Sequence, residues 1–178
     1  MIICAGRNET FNFAQEMGVG LIETAINLTR QCLFDKPDFL LFIGSAGSYG
    51  NHKIFDIVES KRASNIELSF LEDNSYTPLD NVLESENKMV RNDTIINSSN
   101  YISKNFELAK NFNEYGIACE NMEFFSVLQV AREFEIPVAG IFVITNYTNE
   151  TAHEDFIKNH KEAMKKLTSY LIEKQIIK

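Results

Sequence analysis

A chain of 178 residues with 44% hydrophobic and 24% charged residues has the balance of an ordinary globular protein and the length of a single domain. Its formal charge of -8 argues against a nucleic-acid partner, because phosphate backbones need clustered cations, but leaves room for a nucleoside held by a few local groups. Cys4, Cys32 and Cys119 show no zinc-type spacing and point to a reducing compartment; with no signal peptide and no long apolar run, a cytoplasmic protein without a membrane partner is expected.

In chain order, residues 1–5 (MIICA) are a short apolar run closed by Gly6, the mark of a buried strand. From 18 to 33, Ile22, Ala25, Ile26, Thr29 and Leu33 recur at helical spacing, and Pro37-Asp38 breaks the pattern. Residues 39–43 (FLLFI) read as the strongest buried strand, expected to stop at Gly44-Ser45-Ala46-Gly47. A strand is expected over 54–63, a long polar connection over 64–93, a short strand at 94–96, a helix over 102–110 and a strand over 116–119. Phe124, Val127, Leu128, Ala131 and Phe134 set a helix over 121–135, ended by Pro137. Residues 138–145 (VAGIFVIT) form a second central strand, and 151–174 a terminal helix with the stripe Ile157, His160, Met164, Leu167, Leu171.

Two wholly apolar strands among alternating helices predict an α/β fold: three layers, with a mostly parallel mixed central sheet and helices on both faces, in one domain over 1–178. Ligands in such sheets sit at the carboxyl ends of strands, which points to the loop after Ile43, to residues 120–123 and to the loop after Thr145.

Four segments carry a more specific signal. Met17-Gly18-Val19-Gly20 opens a helix, and Ile43-Gly44-Ser45-Ala46-Gly47 follows a buried strand. Asn121-Met122-Glu123 begins a helix, with fourteen residues from Glu123 to Pro137, and Val143-Ile144-Thr145-Asn146 ends a strand. In this order and spacing they resemble the purine nucleoside phosphorylase / methylthioadenosine-S-adenosylhomocysteine nucleosidase superfamily, over roughly 18–171. The resemblance implies a nucleoside phosphorylase-like enzyme that breaks the N-glycosidic bond of a purine ribonucleoside. It implies no cofactor and no metal, inorganic phosphate as co-substrate if the reaction is phosphorolysis, and a homo-oligomer, dimer or higher.

By the same resemblance Glu123 holds the ribose 2′ and 3′ hydroxyls, chemistry suited to a carboxylate that accepts from two adjacent donors in a helix's first turn. Met122 packs on the sugar, Tyr101-Ile102 sandwiches the base, and Ser45, Ala46 and Gly47 let a flat base approach the backbone. Asn146 stands where the nucleosidase branch has an Asp that protonates N7. An amide cannot give that proton, but it can bridge N7 and O6, which implies a 6-oxopurine such as inosine or guanosine. His160, fourteen residues after Asn146, matches a contact to the ribose 5′ hydroxyl but also falls on the apolar stripe of its helix, with His153 as the alternative. Gly6, Arg7, Gly18, Gly20 and Thr24 are the candidate phosphate ligands.

The match is weakest near the first strand. Eleven residues lie between Gly6 and Gly18, fewer than the family carries, and the nucleosidases' catalytic acid belongs to this part, with Glu9 as the candidate stand-in. Glu23 stands where phosphorylases place a phosphate-contacting Ser; a carboxylate there repels phosphate and would leave water as the nucleophile. Three readings therefore stand: a phosphorolytic enzyme with hydrolysis as its alternative, a nucleoside-binding protein without catalysis, and a flavodoxin-like or Rossmann-type domain for another ligand. No GxGxxG follows the first strand, which counts against a dinucleotide.

Overall fold

A computed structural model describes residues 1–90 and 94–178. Its elements are β1 (Ile2–Cys4), β2 (Gln15–Glu16), α1 (Gly20–Phe34), β3 (Leu40–Ser48), β4 (Ile57–Ser60), β5 (Arg62–Ser64), α2 (Leu68–Leu71), β6 (Val82–Glu84), β7 (Ile95–Ser98), α3 (Phe106–Ala109) running into a 3₁₀ helix (Lys110–Tyr115), β8 (Ile117–Asn121), α4 (Phe124–Glu133), β9 (Val138–Tyr147) and α5 (Ala152–Glu173).

The strands form one mixed sheet in the order β2-β1-β3-β8-β7-β5-β6, with β9 on β3 and β4 on β9. The β1–β2, β1–β3, β3–β9, β5–β7 and β7–β8 pairings are parallel; β3–β8, β4–β9 and β5–β6 are antiparallel. Lys61 alone separates β4 from β5, yet these strands lie at opposite ends of the path β4-β9-β3-β8-β7-β5. The sheet therefore curls to bring β4 next to β5, and Ser60 at the end of β4 donates its hydroxyl to Thr94 O, just before β7, at 2.7 Å.

Successive residues of β3 point to opposite faces. Leu40 and Phe42 pack with Phe142, Leu28 of α1, and Phe124, Val127 and Ala131 of α4. Leu41 and Ile43 pack with Ile141 and Val143 against Ala163, Leu167 and Leu171 of α5. Both faces of β3 and β9 are thus covered, which is why these strands read as unbroken apolar runs. Gly140 leaves room for the aromatic layer: a Cβ there would stand 2.6 Å from Phe124 Cζ and from Phe142 Cε2. The α/β architecture expected from the sequence, with helices on both faces of a mostly parallel sheet, is the one observed.

Several boundaries differ, each for a physical reason. The strand expected to stop at Ile43 runs on to Ser48, because Gly44–Ala46 continue the parallel ladder with Phe142–Ile144 and, after a bulge, Gly47 and Ser48 pair with Asn146 and Tyr147. Gly44-Ser45-Ala46-Gly47 is therefore strand, not turn. The 54–63 strand is two strands in different parts of the sheet: β4 pairs with β9, and β5 lies between β7 and β6. The expected 64–93 connection contains α2 and β6; its residues 91–93 lie outside the described residues. The 102–110 helix starts late, where the Asn105 side chain caps Leu108 N, and continues as the 3₁₀ helix. β2, formed by exposed Gln15 and Glu16, carries no hydrophobic signal at all. Among the described residues no helix is long and apolar enough to cross a membrane.

Candidate functional site

A cavity of about 280 Å³ opens at the carboxyl ends of β1, β3 and β8, where ligands of open α/β sheets sit. Its volume lies at the lower end of small-molecule sites. Gly6, Arg7, Ser45, Ala46, Gly47, Tyr101, Ile102, Met122, Glu123 and Asn146, all singled out in the sequence, line it together. Gly18, Gly20, Thr24 and His160 do not.

Glu123 is placed by two neighbouring strands. The Asn121 side chain donates to Ser45 O at 3.1 Å and accepts from Glu123 N and Phe124 N, both at 2.9 Å, so it fastens the start of α4 to β3. Glu123 is the residue before α4 rather than part of its first turn, with φ -124° and ψ -33°. Its Oε1 accepts from Gly20 N at 2.9 Å, across 103 residues of sequence. Burial, and next the charge of Glu9, push its carboxyl up to about 8.

Glu9 reaches the same cavity by a tight turn. Gly6 N donates to Glu9 O and Glu9 N to Gly6 O, and Gly6 (φ 94°) and Arg7 (φ 58°) both take left-handed backbone to close it. The Glu9 carboxylate lies over Gly44, whose Cβ would stand 2.8 Å from Oε2, and accepts from Ser45 N at 3.2 Å and from the Ser45 hydroxyl. Burial raises its pKa, and the Ser45 donors and the nearby His160 oppose the rise. Two buried carboxyl groups that repel each other do not both ionise readily. The donors on Ser45 favour Glu9 as the ionised member, and Glu123 holds the proton at neutral pH.

Asn146 lies inside β9, directly opposite Gly47. Its Oδ1 accepts from the Thr145 hydroxyl at 2.9 Å and its amide donates to Tyr147 O at 3.1 Å, which fixes the orientation of the side chain. Glu120, which lies in the 120–123 stretch that the strand-end rule indicates but carries no assigned role there, lines the cavity on the other side of Gly47. It accepts from Ser103 N at 3.0 Å, the Ser103 hydroxyl at 2.7 Å and the Tyr49 hydroxyl at 3.0 Å; burial raises its pKa and these donors pull it back. The signal available was a lone charge at the carboxyl end of an otherwise apolar strand, Ile117-Ala118-Cys119-Glu120.

The groups assigned to phosphate are engaged elsewhere. Arg7 pairs with Glu23 at 2.8 Å, and Val19 N donates to the same carboxylate at 2.9 Å. Gly20 N is taken by Glu123, and Leu21 N by Asn100 Oδ1 at 2.9 Å. Thr24 is fully buried and donates to Gly18 O at 3.0 Å, away from the cavity. His160 sits behind the wall, its ring 5.1 Å from that of Phe156 and its Nε2 buried without a hydrogen-bond partner; Ala152, His153 and Phe156 are the α5 residues that reach the cavity. Among the described residues no group of three or more His, Cys, Asp or Glu is arranged to hold a metal ion.

No curated protein matches the chain by sequence. The fold is that of solved nucleosidases. A Helicobacter pylori MTAN mutant with 5′-methylthioadenosine in its active site superposes with a TM-score of 0.81 at 16% identity, covering 97% of this chain and 96% of that one. A Helicobacter pylori futalosine hydrolase mutant gives 0.79 at 16% identity, over 97% and 96% of the two chains. A Streptococcus pneumoniae MTA/SAH nucleosidase bound to 8-aminoadenine gives 0.77 at 16%, over 98% and 97%. The family model described as the phosphorylase superfamily matches residues 5–174, nearly the whole chain, and the protein belongs to that family.

Proposed function

We propose that the protein is a hydrolytic nucleosidase that cleaves the N-glycosidic bond of a purine ribonucleoside, with a 6-oxopurine as the leaving base. The observation that carries this reading is the occupancy of the helix terminus at 18–21. Its backbone donors, and Arg7 with them, already serve Glu23, Glu123 and Asn100. A phosphate dianion would have to displace the Glu23 carboxylate, which repels it, and the neutral Glu123 carboxyl. Water needs no such site, so this reading replaces the phosphorolysis expected from sequence. The solved structures of like fold, named as nucleosidases and a futalosine hydrolase, support the same choice.

The ionised Glu9 holds a water and takes its proton as the oxygen bonds to C1′. The C1′–N9 bond breaks, and its electron pair passes to the purine. Asn146 donates to N7, stabilising the charge that builds there; solvent returns a proton to the departed base. The neutral Glu123 carboxyl both donates to and accepts from the ribose hydroxyls. Hypoxanthine is expected to be released from inosine in phosphate-free buffer, followed by the change in ultraviolet absorbance. Release only after phosphate is added would reverse the choice of nucleophile, and turnover of no nucleoside would leave a binding protein.

The same reading includes self-association. Ile22, Ile26 and Leu33 stand 67%, 55% and 70% exposed along one side of α1, with Phe34 at its end. An apolar stripe of this kind favours contact with a second copy. Light scattering is expected to give at least a dimer; a monomer at micromolar concentration removes this part of the proposal.

A further inference from the structure

Ala152, Phe156 and His160 follow one another at four-residue steps on α5 and so face the same way. Ala152 and Phe156 line the cavity with Glu9, and beyond His160 the same side of the helix runs into the core through Ala163 and Leu167. His160 lies between the two, with its ring against Phe156 and its buried Nε2 making no hydrogen bond. The adjacent Asn159 ties this turn to the end of β9, donating to Thr145 O at 2.8 Å, and β9 runs beside β3, whose Ser45 holds Glu9. A buried ring nitrogen without a partner calls for a reason. The charges around the cavity supply one. Three carboxyl groups line it, Glu9, Glu120 and Glu123, against two basic residues among the described ones, Arg7 and His153. Arg7 is spent on Glu23, and His153 is exposed to solvent. The other titratable groups around the turn that carries Glu9 are Glu123, the Cys4 thiol of β1 and Glu16 of β2, whose carboxylate lies over Gly6; none of them is a cation.

We infer that His160 is a positioning residue that acts through Glu9, as the cation behind the cavity wall that balances the Glu9 carboxylate. The inference rests on the proposed role of Glu9 as the base that activates water, and deepens it by naming what keeps that base in its working form. His160 touches neither the cavity nor a carboxylate oxygen, so it acts through space, and a charge is felt further through a buried wall than through water. A cation favours the ionised form of a nearby carboxyl. His160 and the Ser45 donors therefore work together against the burial that would leave Glu9 protonated.

The pH dependence of inosine cleavage tests this. His160→Phe keeps a ring against Phe156 and removes the charge. The acid limb of kcat/KM is expected to move up by about one pH unit, the lower end of what an opposite charge does to a carboxyl, so that the variant is about tenfold slower on that limb and recovers as pH rises. A loss equal at every pH is the mark of a structural role and overturns the inference, and so does a limb that stays where it is. His160→Gln decides the matter if His160→Phe does not fold. Carbon NMR titration of the Glu9 carboxyl, assigned by its absence from Glu9→Gln, reads the same coupling without turnover. A higher midpoint in the uncharged variant upholds the inference even if no nucleoside is cleaved, a result that would remove the catalytic reading alone. An unmoved midpoint ends the inference and leaves cleavage by Glu9 standing.

Discussion

Glu9→Gln is expected to lower kcat by roughly 10²–10⁴ while KM changes little, the loss typical of removing a general base. Glutamine keeps the shape and can still accept from Ser45 N at the end of β1's turn, so the fold should survive and circular dichroism and thermal melting should show a native protein. What it cannot do is take a proton from water. The carboxyl is suited to that task because it is buried, which raises its basicity, while the Ser45 donors and His160 oppose the rise. A Glu9→Gln variant with wild-type kcat would show that the water is activated by another group.

Glu123→Gln is expected to act on both substrate binding and stability. The amide loses one hydrogen-bonding option toward the ribose diol, and kcat/KM should fall about tenfold to a hundredfold. The effect on stability is read from pH. Glu123 titrates near 8 in the folded protein, against an ordinary carboxyl value of 4.5. Between these values the folded chain keeps a proton that the unfolded chain has released, so wild-type stability falls as pH rises through that window and the whole penalty is present above pH 8. Its size is a few kcal/mol at about 1.4 kcal/mol per pH unit, shared with Glu9 because the two carboxyls titrate as a pair. Glutamine cannot ionise. Denaturant melts of Glu123→Gln and wild type should nearly coincide near pH 4, with the variant the more stable at pH 9. Parallel pH profiles would mean that Glu123 is already ionised at low pH.

The elements with strong periodic burial were legible in the sequence, because β3 and β9 are covered on both faces and α1, α4 and α5 each bury one stripe. Ser45 to Gly47, Met122-Glu123 and Asn146 could be gathered by order and spacing, and the sheet brings them to one cavity. What escaped depends on register and on loop geometry. Glu120 faces the site because β8 pairs antiparallel with the end of β3, and no pattern within residues 117–121 reveals its partner strand. Glu9 stands as the candidate acid by resemblance, and a turn with two left-handed residues, which the sequence does not reveal, brings it over Gly44. The glycines of β3 read as a turn because glycine ordinarily weakens strands. In the structure Gly44 clears space for the Glu9 carboxylate and Gly47 for the gap between Glu120 and Asn146. The phosphate ligands rest on the resemblance, and resemblance does not show that Glu23 reaches back to Arg7 and Val19 N.

The choice of water over phosphate is tested most directly by the sugar that leaves the enzyme. With inosine and saturating phosphate supplied together, proton and phosphorus NMR of the products should show hypoxanthine and free ribose, formed at a rate independent of phosphate. Accumulation of ribose 1-phosphate would contradict the account, because it would require the donors at 18–21 to leave Glu23 and Glu123 for an incoming anion.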